Sequence, residues 1–357
     1  MHAALARAEA FAGAYGLRLP VLLAPMAGAC PVALSAAVAQ AGGMGALGAL
    51  LMEPAAIADW VARFRAAGGG PLQINLWVPD PPPQRDAAHE AALRHFLGRH
   101  GPPVPAAAAD TPLQDFHAQC AALLAARPTA VSSIMGLFPP AFVQQLKANG
   151  IAWFANVTTV AEARAAQAAG ADVIVAQGAE AGGHRGGFKA TAARDEAVGL
   201  FALLPQVVDA VKLPVVAAGG VADARGVAAA LLLGASAVQP GTALLRTPEA
   251  GIAPVWAAAL GQATPEGTRL TRAFSGRWGR SLATSYVHDA AAPGAPAPAP
   301  YPVQRGLTAT MRKAAEAAGD LQHLQAWAGQ AAGLAPARPA GEVVEGIWRG
   351  ACGMLGG

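Results

Sequence analysis

The residues that could do chemistry in this chain are concentrated in glycine-rich segments. His184 lies within Gly182-Gly183-His184-Arg185-Gly186-Gly187, and it is the one histidine in a segment of this kind. An imidazole held by such a loop can bind an anion or move a proton near neutral pH. Glu180 lies close enough in sequence to orient the ring. The alternative is a partly exposed loop histidine without a chemical role.

Two further segments are suited to binding a phosphate group. Gly219-Gly220 and Gln239-Pro240-Gly241-Thr242 each follow a short apolar run. Glycine lets a backbone approach phosphate closely, and the start of a following helix adds N–H donors and a favourable dipole. Thr242 could add a hydroxyl group. These glycines could instead only form tight turns, but both segments of the usual barrel phosphate site are glycine-rich here, which favours phosphate binding.

Two side-chain amides, Asn75 and Gln177, end apolar runs in which an apolar residue would suffice for packing. A primary amide donates and accepts hydrogen bonds in one plane, which matches the uracil-like edge of a flavin ring. A loop or capping hydrogen bond is the commoner role for such residues. The sequence contains no Walker-type loop and no GxGxxG opening a helix, so it predicts a mononucleotide rather than a dinucleotide. Metal-ligand spacings are also absent, and we expect no metal site.

The elements that must position these residues follow a regular alternation of helix and short apolar strand. Continuous apolar runs are typical of parallel strands that are buried on both faces. The eight predicted strands are Val21–Ala24, Met44–Leu47, Leu72–Leu76, Ala130–Ile134, Ala152–Ala155, Asp172–Ala176, Val215–Ala218 and Ser236–Val238. Eight strands separated by helices predict an α/β fold, a TIM-like (β/α)8 barrel with a smaller additional lobe, and a doubly wound sheet is the second choice. In a barrel the site is expected at the carboxyl ends of the strands.

Several of the intervening helices carry terminal signals. Thr159 and Glu162 have the spacing of a capping box, and Asp223 is a suitable N-cap residue. Pro139-Pro140 and Pro205 are each predicted to open a helix.

Three parts of the chain are predicted from these signals. Residues 1–260 form the mononucleotide-binding barrel, with an excursion at 79–112 that contains a proline run and a short polar helix in the position of a lid. Residues 261–305 form a smaller lobe and an Ala/Pro-rich strap. Residues 306–357 form C-terminal helices that pack on the barrel.

Composition restricts the class of protein. Of 357 residues, 54% are hydrophobic and 13% are charged, which excludes general disorder. The net charge of +3 is too small and too scattered for a nucleic-acid surface. Three widely spaced cysteines, Cys30, Cys120 and Cys352, suggest no disulfide framework, so we expect a reducing cytoplasm. The uncharged stretch between Arg18 and Glu53 is interrupted by prolines and glycines, and is interpreted as buried strands and a helix rather than a membrane span or signal peptide.

The motifs together resemble class I nitronate monooxygenases, formerly called 2-nitropropane dioxygenases. The resemblance is carried by "APMAGA", "LQINLW", "AQGAEAGGHRGGF", "PVVAAGGVADARGVAAALLLGASAVQPGT" and "TRAFSGR", and it extends from about Pro20 to "AWAGQAAGL". It implies non-covalently bound FMN and oxidation of small anionic alkyl nitronates, such as propionate 3-nitronate, with O2. The implied products are a carbonyl compound and nitrite or nitrate.

The same resemblance assigns roles to individual residues. Ala24 and Met26 are expected against the flavin ring, and His184 is expected as the catalytic histidine. The other expected FMN contacts are Asn75, Gln177, Gly182, Gly219, Gly220, Gln239, Gly241 and Thr242. Because the loop of His184 offers little packing, we expect truncation of this side chain to leave stability nearly unchanged.

Two other functions stay open at this point. One is an FMN-dependent NAD(P)H:quinone or enoyl-thioester reductase on the same fold. The other is a non-catalytic phosphate-binding or regulatory barrel. The oligomeric state is left open.

Overall fold

Seven parallel strands form the central sheet of the computed structural model, which describes residues 2–356. In sheet order they are β1 (Gly45–Gly48), β2 (Leu72–Trp77), β3 (Ala130–Ile134), β4 (Ala152–Val157), β5 (Val173–Gln177), β7 (Val215–Ala218) and β8 (Ala237–Val238). The segment before β1 completes the ring, because Val21 pairs with Val238 and Leu22 pairs with Met44, both in parallel orientation. The predicted TIM-like barrel is confirmed.

The helices surround this ring and also build the parts outside it. In chain order they are α1 (Ala3–Ala14), α2 (Val32–Gln40), α3 (Pro54–Ala66), α4 (Ala87–Leu97), α5 (Phe116–Ala126), α6 (Pro140–Ala148), α7 (Val160–Ala168), α8 (Leu200–Ala210), α9 (Ala224–Leu232), α10 (Pro254–Gln262), α11 (Ser285–Asp289), α12 (Val303–Leu307), α13 (Ala309–Ala318) and α14 (Ala340–Met354). Among residues 2–356, none of these helices is both long and apolar enough to cross a membrane.

The core has two layers because successive side chains of a strand point to opposite faces. Outward-facing residues pack against the helices, whereas Leu22, Phe154 and Val216 belong to a separate cluster with residues of α1. Phe11 of α1 lies 6.3 Å from the ring of Phe154, centroid to centroid. Helix α1 therefore packs against one end of the barrel interior, and the polar side chains at the carboxyl ends of the strands are left for a site.

The predicted helix starts are mostly correct. Thr159 accepts a hydrogen bond from the N–H of Glu162 at the start of α7, and Asp223 caps α9 in the same manner. The Glu162 carboxylate does not bond back to the cap residue. It accepts from the N–H groups of Thr158 (2.7 Å) and Phe188 (2.6 Å). This helix terminus therefore also holds the end of the loop at residues 182–188, which we refer to as the glycine-histidine loop.

The two proline predictions have different outcomes. Pro140 opens α6 as expected. Pro205 lies inside α8, which begins at Leu200 after Gly199, so the prediction that it opens a helix is wrong. A proline inside a helix leaves the carbonyl four residues earlier without its N–H partner. That carbonyl belongs to Phe201, which is 75% exposed, so water can donate a hydrogen bond to it.

A second, antiparallel sheet lies outside the barrel. It consists of β6 (Gly183–His184), β10 (Gly279–Leu282) and β9 (Thr268–Thr271), in that order. The glycine-histidine loop is thus a strand of the smaller lobe as well as the loop after β5. The lobe buries Phe274 and Tyr286 in one cluster with residues of α4.

Helix α4 differs from its prediction. It was expected to be a polar helix of the excursion, but it buries Leu93, Phe96 and Leu97 against the smaller lobe. A second contact anchors the proline run of the excursion: the guanidinium of Arg277 donates to both carboxylate oxygens of Asp80, at 2.7 and 2.6 Å.

The Ala/Pro-rich strap is positioned by one glycine. Gly276 has a φ of +88°, and a Cβ atom there would collide with the backbone of Ala299 and Tyr301. Only glycine permits this approach of two backbones. The close passage fixes the end of the strap, and with it Tyr301, beside the barrel.

The last helix, α14, covers the outside of the barrel. It packs against α2 and α9 and buries Val343, Val344 and Ile347.

Candidate active site

One cavity of about 480 Å³ lies at the carboxyl ends of the strands. It is lined by every residue that the sequence predicted for the site: Ala24, Met26, Asn75, Gln177, Gly182, His184, Gly219, Gly220, Gln239, Gly241 and Thr242. These residues come from five separate segments of the chain, each at the end of a barrel strand. We refer to this space as the main cavity.

The loop after β7 supplies unpaired backbone donors to the main cavity. Gly219 and Gly220 have φ angles of +101° and +73°, and their N–H groups donate to no acceptor within residues 2–356. The N–H groups of Gly241 and Thr242 are also without a protein acceptor in this described range. The start of α9 is different, because the Asp223 carboxylate already caps it. Free donors therefore come from the loops rather than from the helix terminus that the sequence suggested.

The segment after the first barrel strand packs directly on the loop after β8. A Cβ atom at Gly241 would lie 3.1 Å from the Cβ of Ala24 and 3.2 Å from the sulfur of Met26. The thiol of Cys30 closes this turn by donating to the carbonyl of Ala24. Burial raises the pKa of Cys30 to about 12, so the thiol stays protonated.

Three amide side chains form a buried layer at the base of the main cavity. Gln73 donates to the Leu23 carbonyl (2.8 Å) and to Oε1 of Gln239 (3.1 Å). Asn75 donates through its NH2 group to the carbonyl and hydroxyl oxygens of Ser132. The NH2 group of Gln239 and the Oδ1 atom of Asn75 accordingly remain available to a ligand.

Both the nitrogen and the oxygen of the Gln177 side-chain amide make hydrogen bonds within the protein. Its Nε2 donates to the carbonyl of His184 (3.0 Å), and its Oε1 accepts from the N–H of Gly186 (2.8 Å). The strand end is thereby tied to the glycine-histidine loop. The neighbouring Asn156 lines the cavity with a buried Nδ2 that has no hydrogen-bond partner within residues 2–356. Sequence reasoning had not selected Asn156.

His184 is packed more tightly than its glycine-rich loop suggested. Its ring lies between two tryptophans, with centroid distances of 4.7 Å to Trp77 and 4.9 Å to Trp327. Its Nε2 is 2.7 Å from the hydroxyl of Ser275. The premise that this loop offers the ring little packing is therefore wrong, and truncation of His184 is instead expected to cost stability because these contacts would be lost.

The electrostatic surroundings keep His184 neutral. Burial, and then the positive charges of Arg277 and Arg305, lower its pKa from 6.5 to about 3. A neutral imidazole can still donate one hydrogen bond and accept another. It is a weak base at this pKa, and it carries no positive charge of its own near pH 7.

Glu180 does not orient His184. Both oxygens of its carboxylate accept from the N–H of Leu200 at 2.9 Å, so Glu180 caps α8. The residue that holds the imidazole is Ser275, which lies in the smaller lobe.

Three residues that contact His184 were missed by the sequence reasoning: Trp77, Ser275 and Trp327. Tyr301, which contacts Trp77 and lines the same cavity, was missed as well. Arg305 was also missed, and it lines the same cavity.

The cavity wall beside His184 is positively charged. Arg305 and Arg312 both line the cavity, and neither makes a salt bridge within residues 2–356. Burial lowers the pKa of Arg312 to about 10, so this guanidinium is still charged near pH 7. The carboxylate of Glu316 also lines the cavity and counters this shift by raising the pKa of Arg312, so Arg305 is the cation that most favours an anionic ligand. Within the described residues, no cluster of His, Cys, Asp and Glu has metal-binding geometry.

A TIM-like barrel whose carboxyl-end cavity combines free amides, a neutral histidine and unpaired cations has the layout of a barrel enzyme. A family model matches almost the whole chain: residues 10–350 match the family described as nitronate monooxygenase. The chain belongs to this family, and it is an oxidoreductase. The family is flavin-dependent in general.

Relatives with assigned names agree with this family. The chain is 40% identical over 335 residues to a nitronate monooxygenase of Paraburkholderia phytofirmans, covering 92% of this chain and 91% of the relative. It is 38% identical to a nitronate monooxygenase of Pseudomonas aeruginosa, covering 94% of this chain and 97% of the relative.

Solved structures agree on the fold. A nitroalkane oxidase from Streptomyces ansochromogenes superposes with a TM-score of 0.84 at 37% identity, covering 96% of this chain and 98% of that chain. FabK from Thermotoga maritima superposes with a TM-score of 0.75 at 26% identity, covering 97% of each chain.

Proposed function

We propose that the chain binds FMN non-covalently and oxidises small alkyl nitronates, such as propionate 3-nitronate, with O2 to a carbonyl compound and nitrite or nitrate. The observation that carries this proposal is the guanidinium of Arg305, which makes no salt bridge within residues 2–356, beside a neutral histidine. Arg305 and Arg312 suit an anionic substrate, and His184 offers hydrogen bonds without a strong base.

FMN is supported by the donor groups of the main cavity. A phosphate would be held by the N–H groups of Gly219, Gly220, Gly241 and Thr242, which lack protein acceptors within residues 2–356. Asn75, Gln239 and Asn156 would hold the polar edge of the ring, since each has one amide atom without a protein partner within residues 2–356: Oδ1 of Asn75, Nε2 of Gln239 and Nδ2 of Asn156. Ala24 and Met26 would pack against the ring, and Gly182 would border it. When bound, FMN supplies the electron-transfer chemistry.

The protein's own contribution on the substrate side is positioning and charge. We propose that Arg305 attracts the nitronate and that the ring of His184 donates one hydrogen bond to a nitronate oxygen. A nitronate is already deprotonated at carbon, so no base is required. The lowered pKa of His184 makes removal of a proton from a neutral nitroalkane less favourable. Nitronates are therefore the preferred form of the substrate.

The experiment that tests this proposal measures oxygen uptake with a panel of small nitronates, with the parent nitroalkanes and NADH or NADPH as controls. We expect rapid uptake with nitronates, slow uptake with the nitroalkanes and no anaerobic bleaching of the flavin by pyridine nucleotides. Bleaching by NADH without nitronate turnover would replace the proposal with a quinone or enoyl-thioester reductase. Mass spectrometry of the cofactor released by denaturation checks FMN, and FAD would contradict it.

We also place the enzyme in the cytoplasm. Cys30, Cys120 and Cys352 are all free thiols, as expected in a reducing compartment. The proposed partners are the small nitronate and O2. Cell fractionation with an antibody against the chain checks the location.

A further inference from the structure

A second cavity of about 410 Å³ lies beside the main one. We refer to it as the side chamber. Its walls come from the proline run Pro79–Pro83, from Ala109–Phe116 and from the start of α12. Its volume lies in the range that proteins use for small ligands. Nothing in the proposed reaction at the flavin requires this space.

The charged side chains at the wall of the side chamber are already paired within the protein. Asp80 binds the buried guanidinium of Arg277, and Arg85 binds the carboxylates of Glu90 and Asp110. The side chain of Gln119 donates to three backbone carbonyls of the loop after β1. The surface left for a ligand is therefore mainly that of leucine, valine, proline and phenylalanine side chains, which suits an apolar group.

The side chamber adjoins the main cavity through a shared wall. Leu50, Trp77 and Tyr301 line both spaces. The rings of Trp77 and Tyr301 are 5.3 Å apart, and Trp77 also contacts His184. The hydroxyl of Tyr301 is buried and has no hydrogen-bond partner within residues 2–356. An unpaired buried hydroxyl is costly, so a polar ligand group that reached Tyr301 at this shared wall would be stabilised by it.

We propose that the side chamber binds the apolar tail of the substrate, which makes the enzyme selective for nitronates with longer alkyl chains. The charged head lies in the main cavity beside Arg305, the Tyr301 hydroxyl contacts the substrate at the shared wall, and the tail lies among the side chains of the chamber. This inference rests on the proposed function for the identity of the head group. The binding of the tail is independent of turnover.

The test compares ligands of increasing chain length. Straight-chain alkanoates from acetate to octanoate serve as unreactive anions, and their affinities are measured by calorimetry on the flavin-loaded protein. Each methylene that enters an apolar site is expected to tighten binding about fourfold. The corresponding primary nitronates are assayed by oxygen uptake, and kcat/KM should rise with chain length in the same manner.

The variant Gln114→Trp fills the chamber from a position that lines it and does not line the main cavity. Its matched control is Gln144→Trp on α6, an exposed glutamine that lines neither cavity. We expect Gln114→Trp to abolish the gain with chain length while acetate binding and the shortest nitronate keep wild-type values. Gln144→Trp should preserve the gain. If Gln114→Trp does not fold, Leu113→Trp on the same wall replaces it, because Leu113 is 46% exposed.

The outcomes separate the two proposals. Wild-type affinity that does not change with chain length, or an unchanged gain in a folded Gln114→Trp protein, overturns the side-chamber inference. If no nitronate is oxidised but the alkanoate gain is lost only in the filled variant, the chamber binds apolar tails and the proposed function is wrong. If short nitronates are oxidised and the gain is absent, the proposed function stands alone.

Discussion

The two ends of the main cavity are built in different ways. At the proposed cofactor end, the groups are mostly backbone N–H donors of Gly219, Gly220 and Gly241 in loops that follow barrel strands. At the proposed substrate end, the groups are side chains from separate regions, such as Ser275 and Arg305 beside His184. A site made of backbone needs glycine and leaves a signature in the sequence, whereas a site made of distant side chains does not.

The ends also differ in charge. The cofactor end offers neutral dipoles, and the substrate end offers the unpaired guanidinium groups of Arg305 and Arg312 together with a desolvated neutral imidazole. A change at one end should therefore affect retention of the cofactor, and a change at the other should affect recognition of the substrate. Each prediction below is able to break this division.

The largest effect is expected at the cofactor end, from Gly219→Val. The φ of +101° is unfavourable for any residue with a side chain, and a Cβ atom would lie 3.0 Å from the N atom of Ala181. Loss of close backbone approach should weaken FMN binding at least about a hundredfold, since several hydrogen bonds to a charged group are disturbed together. Flavin absorbance after gel filtration measures the bound fraction.

The control for this variant is Gly346→Val on α14, where a side chain meets nothing within 4 Å. It should retain FMN fully. Full flavin occupancy in a folded Gly219→Val protein would contradict the placement of the phosphate.

The second-largest effect is expected on stability, from Asp80→Asn. This substitution removes the carboxylate that pairs with Arg277 beside the substrate end. Arg277 is almost fully buried, so loss of the Asp80 charge leaves a guanidinium without its partner. Removing one partner of a buried ion pair is strongly destabilising, and we expect a loss of roughly 2–4 kcal/mol because Asp80 retains some exposure. Urea denaturation measures the free energy of unfolding.

Asp59→Asn provides a matched control, because its ion pair with Arg63 is exposed on both sides. Surface pairs of this kind contribute little. Equal losses in the two variants would show that the Asp80–Arg277 pair is not an anchor.

The barrel could be predicted from the sequence because its strands are local apolar runs between helices. Seven of the eight runs form the parallel sheet, and the first, at residues 21–22, completes the ring by single bridges. Pro205 was misplaced because proline commonly starts helices, whereas tertiary burial of Leu203, Leu204 and Val207 holds this one inside α8. Helix α4 was expected to be polar because its partner surface, the smaller lobe, is distant in sequence.

The candidate site could be predicted only where one segment supplies the group. The glycine-histidine loop and the loops after β7 and β8 were selected and line the cavity together. Ser275, Tyr301 and Trp327 were not selected, because ordinary core residues have the same types and no local spacing connects them with His184. Glu180 was misassigned for a related reason: its proximity in sequence to His184 did not show that its carboxylate caps α8.

A smaller effect is expected at the substrate end from Arg305→Gln. Loss of one charge-assisted contact should lower kcat/KM for a nitronate roughly tenfold to a hundredfold, mainly by raising KM. Arg305→Lys should restore part of this loss, and the rate with the wild-type protein should fall as salt is raised. Flavin content should stay unchanged if the two ends are independent.

Arg338→Gln is the control, because Arg338 is exposed and does not line the cavity. An unchanged kcat/KM in Arg305→Gln at full flavin content would remove Arg305 from substrate recognition. Loss of flavin in this variant would break the division between the two ends.

The smallest effect concerns the charge state of His184, measured as stability against pH. The pKa of this ring is about 3 in the folded protein and 6.5 in the unfolded chain. Between these values the unfolded chain binds a proton that the folded protein does not, so the contribution of the ring to stability is complete above 6.5 and is lost as pH falls toward 3. The slope is at most about 1.4 kcal/mol per pH unit.

The variant His184→Asn lacks this titration, and the contributions of other titrating groups cancel when the two proteins are compared. Urea denaturation at about pH 5 and about pH 7 should therefore show a larger decrease for the wild type than for the variant. An equal decrease would mean that the ring is solvated and ordinary, and that the substrate end carries a titrating histidine instead of a neutral one.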